Sequence, residues 1–187
     1  MVKRNDKRER LIDAADQLFH QQGVSTTTLA NIATLAEVPL GNVYYYFKSK
    51  DSITLAVIER RKRKLNSLFT ELNTREDIKG RLQAFINHSE SLAEEAARFG
   101  DSLGSLCQEL GKQGGAISEA AANLMNELLQ WSERQFTALG KTEEESSKFA
   151  LNFVSSLQGI NLITLAFKDP NFVNRQGKFL SQWIAAI

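Results

Sequence analysis

A cluster of aromatic and basic side chains at residues 44–50 has the chemistry needed to hold a nucleic acid. Tyr44, Tyr45 and Tyr46 are consecutive, and Lys48 and Lys50 follow closely. A tyrosine ring packs against a surface while its hydroxyl reaches a phosphate or a base edge, and a lysine ammonium binds phosphate. Tyrosines at helical spacing also occur in cores, and lysines beside a helix cap are usually solvated. The cluster alone leaves both interpretations open.

Three short helices are predicted to position this cluster. Gly23 ends the first helix, Thr27 or Thr28 can cap the second, and Pro39 begins the third. The predicted helices cover about residues 6–22, 29–35 and 39–46. A tight turn joins the second to the third, so the unit has the dimensions of a helix-turn-helix.

The third helix is predicted to enter the major groove of DNA. Val43 and Phe47 are four residues apart and should turn inward. The outward residues would then be Leu40, Gly41, Asn42, Tyr44, Tyr45 and Tyr46. Lys48 and Lys50 flank the start of the next helix, where a lysine charge and free backbone N–H groups could bind the same phosphate.

The charge distribution also favours a polyanionic partner at the N-terminal end. Residues 1–64 carry 12 Lys and Arg against 7 Asp and Glu, a net charge of +5, whereas residues 65–187 carry 11 against 15. Most charge runs are solvated helix faces, so the asymmetry is supporting evidence only. The basic run 60–64 is interpreted as a solvated or linking turn within a helix over about 50–72.

The run TTTLANIATLAEVPLGNVYYYFKSKDSI, residues 26–53, resembles the DNA-binding signature of TetR-family regulators. That signature has a threonine-rich cap, an IA pair, a V-x-x-G turn and helix start, and an aromatic run ending Y-F-x-S-K. The matching residues are Thr28, Ile32, Ala33, Val38, Gly41, Tyr44, Tyr46, Phe47, Ser49 and Lys50. The resemblance places the DNA-binding motif at about residues 28–47.

The resemblance implies roles for individual side chains. Phosphate contacts are implied for Tyr44, Tyr45, Lys48 and Lys50. Positions near the groove are implied for Thr28, Leu40, Gly41, Asn42 and Tyr45. Thr27 and Tyr46 complete the predicted DNA-binding set.

The chain departs from the family pattern at two places. The family often has Gly where this chain has Glu37, and Ser then Lys where it has Pro39 and Leu40. Because the missing lysine removes a common DNA contact and Leu40 could touch a thymine methyl, an operator sequence cannot be transferred.

The periodicity of apolar residues predicts an all-α chain of about nine helices. After residue 50 these cover about 50–72, 75–98, 101–110, 116–139, 142–167 and 170–184. The resemblance divides the chain into a DNA-binding domain, residues 1–50, and a helical effector-binding and dimerisation domain, residues 51–187. In the family the last two long helices, here 116–139 and 142–167, pair with those of a second copy.

Apolar stripes on those two helices are the predicted dimer interface, although such stripes are also typical of an intramolecular core. The interface residues are Leu124, Leu128, Trp131, Phe149, Phe153 and Ile160. A pocket for an apolar or aromatic effector is predicted between the middle helices, from side chains that would equally suit a plain core. Its candidates are Phe85, Phe99, Leu103, Leu106, Cys107, Leu110, Met125, Phe153 and Leu157.

The segment 99–113 looks like a short helix of one family branch in which a cysteine often occupies the position of Asp101. Because Asp101 replaces it, electrophile sensing at that position is in doubt. Cys107 is interpreted as a small buried side chain.

Several function classes are disfavoured. One cysteine and two distant histidines, His20 and His88, predict neither a disulfide framework nor a metal site. No membrane span, signal peptide, Gly-rich phosphate loop or catalytic constellation is recognised, so a cytoplasmic non-enzyme without a cofactor is expected. The sequence predicts a ligand-responsive repressor that binds a palindromic operator as a homodimer. The alternatives are a helical small-molecule-binding protein or enzyme with a structural three-helix unit, and an architectural DNA binder that no effector releases.

Overall fold

In the computed structural model, which describes residues 3–187, the chain forms ten α-helices and no strand. They are α1 (Lys3–Gln22), α2 (Leu29–Leu35), α3 (Leu40–Tyr46), α4 (Lys50–Asn73), α5 (Ile78–Ser91), α6 (Ala93–Phe99), α7 (Ser102–Gly111), α8 (Gly115–Ala138), α9 (Glu143–Phe167) and α10 (Asn171–Ala186). The predicted all-α class is confirmed.

The nine predicted helices are all present, and the one predicted over residues 75–98 is divided into α5 and α6. Asp77 begins α5 because its carboxylate accepts hydrogen bonds from two backbone N–H groups of the first turn. At Leu92 the backbone tightens, and its N–H donates to the Ser89 carbonyl, three residues back, at 3.1 Å. Side-chain periodicity does not record such a tightening, because the apolar stripe continues across it.

Side-chain caps fix the helix starts near the predicted motif. Thr28 Oγ1 accepts a hydrogen bond from the Asn31 backbone N–H at 3.1 Å, and Asn31 Oδ1 accepts one from the Thr28 N–H at 2.9 Å. This reciprocal cap confirms Thr28 as the start of α2. Pro39 occupies the N-cap position of α3 without a side-chain cap hydrogen bond, and the helix begins at Leu40, one residue after the predicted start.

The described chain forms two compact units. The first contains the residues up to Arg63 together with Ser105–Leu124, and the second contains Lys64–Gly104 and Met125–Ile187. The predicted division after residue 50 concerns function and stays a prediction.

The basic run 60–64 lies inside the continuous helix α4, so the interpretation as a linking turn is wrong. Arg61 is 8% exposed, and its Nε donates to Asp16 Oδ1 of α1 at 2.7 Å. Arg60 also pairs with Asp13. A guanidinium leaves water only when such partners replace its hydration, so the run contributes a structural contact between α1 and α4.

The second unit is built around an aromatic cluster centred on Trp131, which is fully buried. Its indole ring stacks on Phe69 at a centroid distance of 4.8 Å and lies 5.4 Å from the ring of Phe85. Its Nε1–H donates to Asn73 Oδ1 at 3.2 Å, so the one polar atom of the ring is satisfied. Large rings of this kind supply much of the apolar burial that stabilises a helical domain.

Candidate nucleic-acid interface

A small apolar core fixes α3 against α2. Ile32 and Ala33 of α2, Val38 of the turn, and Val43 and Phe47 at α3 are all at most 5% exposed. The Val38 N–H donates to the Ala33 carbonyl at 3.0 Å, which closes the turn between the helices. With Val43 and Phe47 buried, the rotation of α3 about its axis is fixed, as the sequence predicted.

The opposite face of α3 is open to solvent. Tyr45 is 56% exposed, Tyr44 50% and Leu40 42%, whereas Asn42 and Tyr46 are half-buried. Nothing lies within 4 Å of a Cβ built on Gly41, so another molecule can approach the helix closely there. Exposed tyrosines on a short, rigidly held helix suit contact with a partner better than a core role.

Two lysines flank the start of α4, and of the two Lys48 is exposed. Lys50 is half-buried, and its Nζ donates to the Ser25 carbonyl at 3.0 Å. Its ammonium has three donors, so this hydrogen bond leaves two for a phosphate. Ser49 caps α4, since its Oγ accepts from the Ser52 N–H at 3.2 Å.

The two predicted threonines have different environments. Thr28 is exposed at the start of α2. Thr27 is fully buried, and its hydroxyl donates to the Gly23 carbonyl at 2.7 Å and accepts from Gln22 Nε2 at 3.2 Å. The side chain of Thr27 therefore holds the turn after α1 and does not reach the surface that α3 presents.

Arg10 stabilises the turn between α2 and α3 from outside the motif. Its guanidinium donates to the carbonyls of Ala36 and Glu37. Glu37 itself has a φ of +51°, the left-handed conformation that glycine adopts most easily. Its place in the turn matches the position where the family often has glycine, whereas the contact from Arg10 spans 26 residues and has no local sequence signal.

Glu109 of α7 makes a second contact that the sequence analysis did not predict, with the turn between α1 and α2. Its carboxylate accepts hydrogen bonds from the backbone N–H groups of Val24 and Ser25, at 2.8 and 2.6 Å. Burial opposes the ionised form, but these donors, the Ser25 hydroxyl and the charge of Lys50 outweigh it and lower the pKa of Glu109. The carboxylate is therefore ionised at neutral pH and holds the α1–α2 turn.

The predicted effector-pocket residues are divided between the two compact units. Leu106, Cys107 and Leu110 belong to the first unit, where both leucines are buried. Cys107 is half-buried, so its interpretation as a buried side chain is wrong, and its thiol donates to the Ala121 carbonyl at 3.1 Å. The other six belong to the second unit: Phe85, Phe153 and Leu157 are buried, and Phe99, Leu103 and Met125 are half-buried. The pocket stays a prediction.

Most of the predicted dimer-interface side chains are buried within a single chain. Leu124, Leu128, Trp131 and Phe153 are at most 2% exposed, and Phe149 and Ile160 are half-buried. The first four therefore offer almost no surface to a second copy. Large exposed apolar side chains occur instead at other positions of α9 and on α10, namely Leu151, Leu162, Ile163, Phe167 and Phe179.

Comparison by sequence connects the N-terminal part of the chain with known regulators. Residues 11–57 match the family described as "Bacterial regulatory proteins, tetR family". A 68-residue segment is 37% identical to the HTH-type transcriptional repressor NemR of Escherichia coli K12 and covers 36% of this chain and 34% of NemR. Another match, 41% identical over 59 residues, is an uncharacterized HTH-type transcriptional regulator of Xanthobacter autotrophicus, with 32% and 29% coverage. The matched segments thus span about a third of these relatives.

Comparison by structure extends over nearly the whole chain. A TetR transcriptional regulator from Legionella pneumophila superimposes with a TM-score of 0.85 at 20% identity, covering 93% of this chain and 95% of that one. The reduced form of E. coli NemR gives a TM-score of 0.79 at 19% identity, covering 92% and 94%. At such identities the similarity shows the fold.

Proposed function

The chain belongs to the TetR family of bacterial regulatory proteins, and from this we propose that it is a ligand-responsive transcriptional repressor in the cytoplasm. It binds a palindromic operator as a homodimer, and a small-molecule effector releases it. The observation that carries the proposal is the solvent-facing side of α3, which the buried Val43 and Phe47 hold outward.

In the proposed complex α3 lies in the major groove. Tyr44, Tyr45, Lys48 and Lys50 contact phosphates and set the orientation, because such contacts depend little on sequence. Base edges are read by Leu40 and Asn42, and the bare Gly41 permits close approach. Thr28 and the half-buried Tyr46 lie at the edge of this surface. Thr27 is left out because its side chain is buried.

The proposed dimer uses the exposed apolar faces of α9 and α10. Leu162 and Phe167 of α9 are 55% and 70% exposed, and Phe179 of α10 is 62% exposed. Together α9 and α10, which pack on each other, form a continuous helical layer. By length and composition α9 would also suit a membrane span, but it carries buried Asn161 and Thr164. A second copy would cover the exposed faces. It would also supply the second reading head, meaning a second pair of helices α2 and α3, that a palindromic operator requires.

The proposed effector is an apolar or aromatic small molecule, because the candidate pocket side chains are themselves mostly apolar or aromatic. Release requires that the effector prefer the conformation that does not bind DNA, by at least the free energy to be overcome. No cofactor and no catalytic step are part of this proposal.

A gel-shift titration against the DNA upstream of the protein's own coding sequence tests the DNA-binding role. We expect a retarded complex that forms at lower protein concentration than with a scrambled duplex of equal length. Equal affinity for both duplexes would argue for an architectural binder, and no binding at low salt would overturn the proposal.

Multi-angle light scattering tests the dimer. The wild type should have twice the mass of one chain, and Leu162→Glu should shift it toward the monomer. Leu55→Glu is the matched control, because Leu55 is 41% exposed but belongs to α4 in the first compact unit, whereas the proposed face belongs to the second. A monomeric wild type, or equal dissociation by both substitutions, would contradict this interface.

A further inference from the structure

We infer that Glu109 is a positioning residue for DNA recognition, which ties helix α7 to the turn that supports the reading head. The inference rests on the proposed function and deepens it by naming a side chain through which α7 acts on that head. Neither the DNA-binding motif at residues 28–47 nor the matched segment 11–57 includes Glu109.

Three helices, α1, α4 and α7, meet at the short turn that follows Gly23. Gly23 ends α1 with a φ of +88°, and the N–H groups of Val24 and Ser25 that follow both donate to the Glu109 carboxylate. The Ser25 carbonyl accepts from Lys50 Nζ, at the first residue of α4. Ser25 is therefore held through its N–H by α7 and through its carbonyl by α4.

The turn leads directly into the cap of α2, so its order affects the reading head. Two backbone N–H groups outside any helix need acceptors, and a charged carboxylate is the strongest acceptor that the side chains offer. Without it the turn would sample other conformations, and α2 with the attached α3 would enter the groove from a less defined start. Ordering those conformations on DNA would cost affinity.

The same helix connects this contact to regulation. Leu106, Cys107 and Leu110 of α7 are among the predicted effector-pocket residues, and Leu110 is adjacent to Glu109 in sequence. An effector that displaces α7 would withdraw the carboxylate from the α1–α2 turn. The hydrogen bonds from Val24 and Ser25 to Glu109 then exist in the DNA-binding form and are absent from the released form. The effector favours the released form by breaking them.

The test compares Glu109→Gln with the matched control Glu119→Gln. Glutamine offers one acceptor oxygen and no charge, whereas Glu119 is exposed on α8 in the same compact unit and loses only its charge. Hydrogen exchange of the Val24 and Ser25 amides is measured on the free protein, and operator affinity is measured by fluorescence anisotropy. Helical circular dichroism verifies folding. Glu109→Asp, which keeps the charge on a shorter side chain, replaces the glutamine variant if that one does not fold.

We expect exchange at Val24 and Ser25 to accelerate in Glu109→Gln and operator affinity to fall about tenfold, with neither change in Glu119→Gln. Unchanged exchange at both amides would overturn the contact. Faster exchange with unchanged operator affinity would overturn the positioning role. A wild type that binds no DNA would overturn the proposed function, and with it any role in recognition, whereas the exchange measurement would still report on the contact.

Discussion

Arg61 of α4 and Asp16 of α1 form a largely buried ion pair, in which Nε donates to Oδ1 at 2.7 Å. Their side chains are 8% and 13% exposed. Asp16 is also 3.8 Å from Arg60 Nε, so one carboxylate faces two guanidinium groups. The pair fixes the first helix of the DNA-binding unit to the long helix whose N-terminus lies beside the reading head.

Removing the carboxylate should destabilise the protein strongly. Asp16→Ala removes the charged partner of the buried Arg61 guanidinium, and we expect the free energy of unfolding to fall by about 3 kcal/mol. Urea denaturation followed by circular dichroism measures the change. The control is Glu59→Ala, which breaks a pair with Arg63 that is about 60% exposed, and it should cost less than about 1 kcal/mol. Similar small losses in both variants would show that Arg61 finds another partner.

Glycine at position 37 should stabilise the α2–α3 turn. Glu37 has a φ of +51°, and a non-glycine residue in this conformation destabilises the folded state by about 1 kcal/mol or more. Glycine removes this strain, but part of the gain is lost because glycine raises the conformational entropy of the unfolded chain. We expect Glu37→Gly to raise the free energy of unfolding by about 0.5 kcal/mol and Glu37→Val to lower it. Thermal melts of the three proteins measure the order. A glycine variant less stable than the wild type would mean that the contact of the Glu37 carboxylate with Arg10 outweighs the backbone conformation.

The sequence predicted the features that depend on local pattern. The helix-turn-helix, the Thr28 cap and the inward Val43 and Phe47 follow from spacing and from the turn residues, which act within a few positions. It did not predict the role of Glu109, which contacts residues 84 and 85 positions away, because the local pattern around a helical glutamate does not identify so distant a partner. Only the fold brings such residues together.

The same distinction explains the predicted dimer stripe. Periodicity shows that one face of a helix is apolar, but it does not tell whether that face packs within the chain or against a second copy. Trp131 and Phe153 belong to the intramolecular aromatic cluster, whereas the exposed Leu162 and Phe167 were not singled out. A helix with apolar residues on two faces has no single stripe for sequence reasoning to assign.

Loss of one phosphate contact should weaken binding to all DNA sequences alike. Tyr44→Ala and Lys48→Ala each remove one exposed side chain, on α3 and just after it, and should leave the fold intact. For Lys48→Ala the magnitude of the slope of log affinity against log salt concentration should decrease by about 1. Tyr44→Ala removes no charge, so it should lower the affinity with little change in this slope. Fluorescence anisotropy on operator and scrambled duplexes at several salt concentrations measures both quantities. A folded Lys48→Ala protein with the wild-type slope would exclude the lysine from the phosphate contacts.

Changes at the groove face should instead alter base preference. Leu40→Ala and Asn42→Ala remove side chains that we propose to face base edges, and each should relax specificity at one or two positions by about 1–3 kcal/mol. Selection from a randomised operator library measures the preference. If both variants return the wild-type motif, base reading must be assigned to Thr28 and Tyr45.

The contribution of Glu109 to stability should depend on pH in one direction. Its pKa is lowered in the folded chain, because hydrogen bonds from Ser25 and Val24 and the charge of Lys50 outweigh the opposing effect of burial. A carboxyl whose pKa is lower in the folded than in the unfolded state stabilises the fold above its unfolded pKa, about 4.3, and loses this contribution as the pH falls through the folded pKa. The difference in unfolding free energy between the wild type and Glu109→Gln should therefore be constant from about pH 6 to 8 and shrink below about pH 4. The control substitution is Glu119→Gln, which removes an exposed carboxylate of α8 in the same compact unit. Urea denaturation at each pH measures the difference, and one that grew on acidification would mean that the protonated acid, not the carboxylate, is the stabilising partner of the turn.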